Sequence, residues 1–262
     1  MLLIQWGGAW QARKQKWRSL GIKSEVSREG VKVINNGFEG AKYGRKKMPE
    51  VSMFDPALTE LMYSWFCPTD GCILDPFAGG SVRGVVASYL GFKYTGIDIR
   101  QEQIDSNREQ AVSICQVNNQ PQWYVGDSNI ALDGFNNRFD FIFSCPPYAD
   151  LEVYSDLDGD ISNKDYTQFI SLYSSIVAKS CRLLKRGCYA CFVVGDIRDK
   201  KGYYRDFISH TKKAFIDAGC MLYNEAILLQ PLGTAMLRAD RVFSIGKKLT
   251  KVHENILIFK KP

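Results

Sequence analysis

The chain has 262 residues, 45% of them hydrophobic and 24% charged, with a formal net charge of +6 and eight cysteines. That length supports one large α/β domain or two small ones, with the composition of an ordinary globular protein. No run approaches the roughly 18 apolar residues of a membrane span. The start, MLLIQWGGAWQARKQKW, has an apolar tip too short for a signal peptide and charges on its wrong side, so the expected location is cytoplasmic.

The positive charge is concentrated at the N-terminus. Residues 1–50 hold eleven Lys and Arg against four Asp and Glu, leaving 51–262 close to neutral. This stretch is polar and broken by glycine, with Trp6, Trp10 and Trp17 set among its first basic residues. It divides the chain into a basic arm, 1–50, and a main domain, 51–262. Cations interleaved with aromatics suit a nucleic-acid backbone and its bases. The alternative is a solvated arm whose tryptophans pack on the main domain.

From residue 55 the pattern becomes regular. DPALTELMYSWF places Leu58, Leu61, Met62 and Trp65 at helical spacing, and CILDPF reads as a strand. SVRGVVASYLG puts Val82, Val85, Val86, Tyr89 and Leu90 on one helical face, with Gly91 as its C-cap. The strand YTGIDI, the helix QEQIDSNREQAVSIC and the strands WYVGD and FDFIFSC follow. A long helix then runs to Gly187, CYACFVVGD is a buried strand, and YYRDFISHTKKAFIDAG is an amphipathic helix. MLYNEAILLQ and NILIFKK close the chain as strands separated by a basic loop. Repeated alternation of strand and helix predicts an α/β, Rossmann-like fold with a mostly parallel sheet. The last two strands, with no helical crossover read between them, are expected to be antiparallel. Cys188 and Cys191 form a C-x-x-C, but on a strand they point to opposite faces. Neither His210 nor His253 has ligand-like spacing, so the cysteines read as reduced thiols and no metal site is expected.

Ligands on such sheets bind at the C-terminal ends of the strands, where the unusual residues lie. The first strand ends in LDPFAGGS, with Asp75, Phe77, Gly79 and Gly80; glycines there let a ligand approach the backbone beside a helix start. The second ends at Asp98, 23 residues after Asp75, where an acid takes the ribose hydroxyls of a nucleoside-containing cofactor. The third ends at Asp127, which can accept from an adenine amino group or merely hold a turn. The fourth ends in Cys145, Pro146, Pro147 and Tyr148. Two prolines stiffen the backbone, and the tyrosine ring can stack on an extruded base or cap a rigid turn.

With DPF-x-G and C-P-P-Y in this order, residues 50–262 resemble the amino-group (adenine-N6 or cytosine-N4) DNA methyltransferases that use S-adenosylmethionine. The phrases SMFDPALTEL and DPFAGGSVRG look closest to compact, phage-type DNA modification methylases. The resemblance implies a class I methyltransferase fold, S-adenosylmethionine as cofactor and DNA as partner. It places Asp75, Phe77 and Gly79 at the methionine part of the cofactor, Asp98 at the ribose and Asp127 at the adenine. Phe54 would help to close the pocket, and Cys145 through Tyr148 would hold the target base.

The sequence departs from that pattern twice. The family loop reads F-x-G-S-G, whereas this chain has Phe77-Ala78-Gly79-Gly80-Ser81; adjacent glycines keep the backbone freedom. The first position of the catalytic motif normally carries Asp, Asn or Ser, and Cys145 offers only a weakly accepting sulfur, leaving the Pro146 carbonyl to orient the amino group. The following tyrosine argues against a covalent role for Cys145. Two alternatives stand beside this reading: an RNA guanine-N2 amino methyltransferase, and a cofactor-binding but catalytically silent subunit that presents nucleic acid. Sequence recognition falls to the arm, to the acidic segment 149–163, read as a solvated loop, and to 231–254. The last carries Arg238, Arg241, Lys247, Lys248 and Lys251 as phosphate contacts.

Overall fold

In the computed structural model, the described residues are 1–22, 32–33, 54–136, 138–148, 152–153, 155, 157, 159–231 and 235–262. The chain begins with β1 (Leu2–Ile4), α1 (Gly8–Ser19) and β2 (Lys32–Val33). It continues through α2 (Pro56–Phe66), β3 (Cys72–Asp75), α3 (Val82–Tyr89), β4 (Lys93–Asp98), α4 (Gln101–Ile114), β5 (Gln122–Val125) and α5 (Ser128–Ala131). Next come β6 (Phe139–Ser144), β7 (Glu152–Val153), α6 (Tyr166–Leu183) and β8 (Leu184–Val194). The last elements are α7 (Phe207–Asp217), β9 (Met221–Leu229), α8 (Ala235–Gly246) and β10 (His253–Lys260).

Eight strands form one sheet in the order β1-β9-β10-β8-β6-β3-β4-β5. Neighbours are parallel except β10, which runs antiparallel to both β8 and β9. This is the Rossmann-like α/β sheet that the alternating pattern predicts, with its antiparallel C-terminal pair. β2 and β7 form a separate antiparallel ribbon, Lys32 opposite Val153.

Alternating strand residues feed two cores. Ile73, Phe141, Phe143, Cys191, Ile256 and Ile258 face the core beneath α2 and α3, whereas Leu74, Ile142, Phe192, Leu257 and Phe259 face the one beneath α6 and α7. Cys191 lies in the first core and Cys188 packs against the second, as two strand residues three apart must. The helix after β3 covers one face and the long helix after β6 covers the other, so a crevice opens where their connections diverge. Capping fixes the helix starts: Asp55 accepts from the N–H of Ala57 and Leu58 ahead of Pro56, and Asp165 does the same for Thr167 and Gln168.

The structure differs from the sequence reading in two places, and at the N-terminus it shows the alternative in which tryptophans pack on the main domain. Within residues 1–22, β1 extends the sheet along β9, Trp17 is buried and Trp10 packs on the core, while Trp6 stays exposed. Residues 23–31 and 34–50 of the same stretch lie outside the described residues. The segment between the last two strands contains α8, which the scattered basic residues concealed. The strands are antiparallel nonetheless, because α8 is no crossover on a sheet face; Phe243 and Ile245 on it are exposed. Finally, α6 stops at Leu183 and β8 starts at once, with Gly187 inside the strand at φ +76° and its N–H bonded to the Lys261 carbonyl.

Candidate active site

The C-terminal ends of β3, β4, β5 and β6 converge on a cleft of about 570 Å³. Its floor is the turn after β3. Gly79 adopts φ +51°, which a side chain would strain, and a Cβ there would point into open space. The Gly79 N–H donates to Asp98 Oδ2 at 2.9 Å, and its carbonyl accepts from Asn107 Nδ2 at 2.7 Å. Asp98 Oδ1 accepts from the Arg100 N–H at 2.9 Å. Each carboxylate oxygen thus carries one backbone hydrogen bond and keeps further lone-pair capacity toward the cleft. Burial holds the Asp98 carboxyl above its ordinary range against the opposing pull of those N–H groups.

Asp127 follows β5, caps α5 through the Asn129 N–H at 2.8 Å, and lines the cleft. Opposite it, a Cβ on Gly159 would come within 3.1 Å of Asp127 Cβ and Ile99 Cδ1, so this glycine permits close approach of the chain after the motif. Asp160 beside it is buried, accepting from Ser155 Oγ and from the N–H and Oγ of Ser162. Gly159, Asp160 and Ile161 therefore form a cleft wall, not the solvated loop read from their acidity.

Asp75 does not face the cleft. It is fully buried, accepting from Arg83 Nε at 2.5 Å, Tyr94 Oη at 2.7 Å, Ser144 Oγ at 2.5 Å and the Phe77 N–H at 3.2 Å. The Arg83 guanidinium also donates to the carbonyls of Phe77 and Ala78, and it lies 4.5 Å from the Phe54 ring centroid. The expected ligand-facing acid is instead a brace tying β3, β4, β6 and the glycine turn together. Phe54 and Phe77 both line the cleft; Phe54 meets Phe143 edge-on, and Phe77 stacks on Tyr173.

Cys145, Pro146, Pro147 and Tyr148 form the neighbouring wall. Burial and the nearby Glu254 push the Cys145 thiol up to about 12, which favours the neutral thiol over the nucleophilic thiolate. The Cys145 sulfur lies 4.0 Å from Tyr148 Oη, which donates to Glu254 Oε1 at 3.1 Å. Tyr148 also meets Phe207 edge-on.

The sequence reading missed part of this wall. Gln5 and Lys14 reach the cleft from the N-terminal segment, and with Trp10 they donate to Asp55 Oδ2. Nothing local in the sequence marks them, because their partner Asp55 lies 50 residues from Gln5 and 41 from Lys14. Glu254 sits at the start of a strand whose apolar residues drew the eye past it. Arg83 is masked by the valines around it.

The fold so defined is a Rossmann-like α/β fold that is also found in solved methyltransferases. No protein-family model matches the chain, and no curated protein sequence does. Among solved structures, TrmN of Thermus thermophilus superposes with a TM-score of 0.55 at 14% identity, over 80% of this chain and 49% of that one; this chain thus spans about half its length. A candidate RNA methyltransferase of Pyrococcus horikoshii gives 0.52 at 16% identity, over 95% and 98% of the two chains. Magnesium protoporphyrin IX methyltransferase (ChlM) of Synechocystis PCC 6803, solved with S-adenosylmethionine bound, gives 0.50 at 12% identity over 79% of each. At such identities the likeness is one of fold.

Proposed function

We propose that this protein transfers the methyl group of S-adenosylmethionine to the exocyclic amino group of adenine, or of cytosine, in DNA. The observation that carries this reading is the opening of the Cys145–Tyr148 wall into the same cleft as the glycine turn and Asp98. The residues fit the cofactor: an open backbone at Gly79, an acid with spare acceptor capacity at Asp98, and a second acid at Asp127 beside apolar Ile99. Asp98 would take the ribose hydroxyls, Asp127 the adenine amino group, and Phe54 and Phe77 would flank the methionine end. When bound, the cofactor supplies an electrophilic methyl group on a sulfonium.

The chain's own work is positioning. Pro146 and Pro147 fix the wall, and Tyr148 offers its ring to the base. Cys145 stays a thiol at neutral pH and forms no bond to the substrate. Orientation of an amino nitrogen toward the methyl, with water displaced from the cleft, is sufficient for direct transfer.

The test is to incubate the protein with radiolabelled S-adenosylmethionine and DNA, RNA or no substrate, digest the product to nucleosides and identify the modified base. Label in N6-methyladenine or N4-methylcytosine from DNA is the expected result. Label in guanosine from RNA, or no transfer with the cofactor bound, overturns it. Mapping the modified sites then gives the recognition sequence.

A further inference from the structure

The methionine end of S-adenosylmethionine carries a carboxylate, and a charge taken out of water needs a partner of opposite sign. Among the described residues, the cations that line the cleft are Lys14, Arg83 and Arg100. Arg83 is engaged beneath the floor, its Nε with Asp75 and its Nη2 with the carbonyls of Phe77 and Ala78. Arg100 follows Asp98, which accepts its backbone N–H, and so belongs to the ribose side. Lys14 belongs to the other side, because its partner Asp55 adjoins Phe54.

Helical spacing puts Lys14 there. Trp10, Lys14 and Trp17 fall on one face of α1, and that face lies on α2. Trp10 Nε1 and Lys14 Nζ donate to Asp55 Oδ2 at 3.1 and 3.0 Å, and Trp17 Nε1 donates to Glu60 Oε2 at 2.7 Å. Gln5 Nε2 donates to the same Asp55 oxygen at 3.2 Å, while Oδ1 takes the N–H of Ala57 and Leu58. A carboxylate has about four acceptor sites, so Asp55 is saturated and serves as a fixed post for Lys14. The ammonium has three N–H bonds, and Asp55 is its one hydrogen-bond partner among the described residues. The Lys14 side chain is 18% exposed, and an ion pair shielded from water in this way is stronger than one at the surface.

Resting on the cofactor assignment above, we propose that Lys14 is a cofactor-binding residue that pairs with the carboxylate of the methionine end. Asp55, Lys14 and the carboxylate then form a row of alternating charge. Because Lys14 is part of α1, the pairing also fastens the N-terminal segment to the cleft. Coupling of this kind is reciprocal: affinity that the cofactor gains from Lys14 is returned as tighter docking of residues 1–22.

The test uses the full chain and two ligands, S-adenosylmethionine and its decarboxylated analogue, which keeps the adenosine, the sulfonium and the ammonium. By calorimetry, wild type should bind S-adenosylmethionine at least about tenfold more tightly than the analogue. Lys14→Gln keeps an N–H for Asp55 and removes the charge. It should weaken S-adenosylmethionine binding by about 10- to 100-fold and leave affinity for the analogue unchanged, which also shows that the variant is folded. Lys14→Arg should keep part of the preference. Limited proteolysis needs no variant: at saturation, S-adenosylmethionine should slow cutting within residues 1–22 of wild type more than the analogue does. Equal affinity of wild type for the two ligands overturns the inference, as do equal protection by them and a Lys14→Gln protein that keeps the preference. Each of those outcomes leaves the cofactor assignment standing, whereas a wild type that binds neither ligand overturns both.

Discussion

Asp98 and Cys145 carry opposite lessons about acidity. Burial raises the Asp98 carboxyl even though two backbone N–H groups favour its ionised form. A carboxyl raised on folding binds its proton more readily in the folded chain, so its ionised form weighs against stability above the folded pKa, and that cost disappears as pH falls through it. Cofactor binding runs the other way, because ribose hydroxyls need the ionised acceptor. S-adenosylmethionine affinity should therefore start to fall on acidification above the ordinary aspartate range of about 3.9. Asp98→Ala should cost about 1.5–3 kcal/mol of binding and remove that pH dependence. Calorimetry across pH checks both; unchanged affinity in a folded variant takes Asp98 out of the site. For Cys145, pushed up to about 12, Cys145→Ala should retain measurable turnover, and no adduct should form with a mechanism-based base analogue. A dead Cys145→Ala together with a trapped DNA adduct would replace direct transfer by a covalent mechanism.

At the scale of elements, the turn after β3 is held from below. Arg83 projects from α3 to Asp75 and to two carbonyls of the turn, and both charged partners are buried. Removing one partner of such a pair leaves a buried charge uncompensated, so Arg83→Met should destabilise the fold by about 3–5 kcal/mol. The double variant Arg83→Met/Asp75→Asn should be less damaging than the single changes added together. Denaturant unfolding measures both; strict additivity would mean the two side chains act independently. α1 is attached in a similar way. Asp55 caps α2 and gathers Gln5, Trp10 and Lys14, and Trp17 Nε1 donates to Glu60 at 2.7 Å. Asp55→Ala should lose about 1 kcal/mol of capping and leave buried donors unpaired. Limited proteolysis should then cut within residues 1–22 faster than in wild type.

Over the whole molecule, charge and architecture are unevenly matched. The N-terminal fifty residues hold all of the excess positive charge, and β2 within them pairs with β7, just beyond the Cys145–Tyr148 wall. Deleting this whole stretch would also strip Gln5 and Lys14 from the cleft, so neutralising charge is the cleaner experiment. Replacing Arg45, Lys46 and Lys47 by glutamine should flatten the dependence of log K for DNA on log salt by up to about 3, with cofactor affinity unchanged. The same slope in the variant would exclude these side chains from DNA contact.

The order of the main strands and helices from residue 55 onward, and the placing of Asp98, Asp127 and Cys145–Tyr148 at strand ends, were legible in the sequence, because periodicity and turn residues are local properties of the chain; β1 and α1 were not. The antiparallel pairing of β9 and β10 was also read correctly, although α8 between them was not. What a side chain faces is a different matter. Asp75 and Asp98 both end apolar strands, yet only packing decides that Arg83 and Tyr94 enclose the first while the second opens on the cleft. Gln5, Lys14 and Glu254 come to the site across long stretches of chain through strand pairing with β9 and through the return of β10. The sequence determined which elements form and where the chemistry-bearing residues cluster along them. Only the tertiary structure decided which residues share the cleft, because their meeting depends on non-local strand pairing and burial that no local pattern encodes.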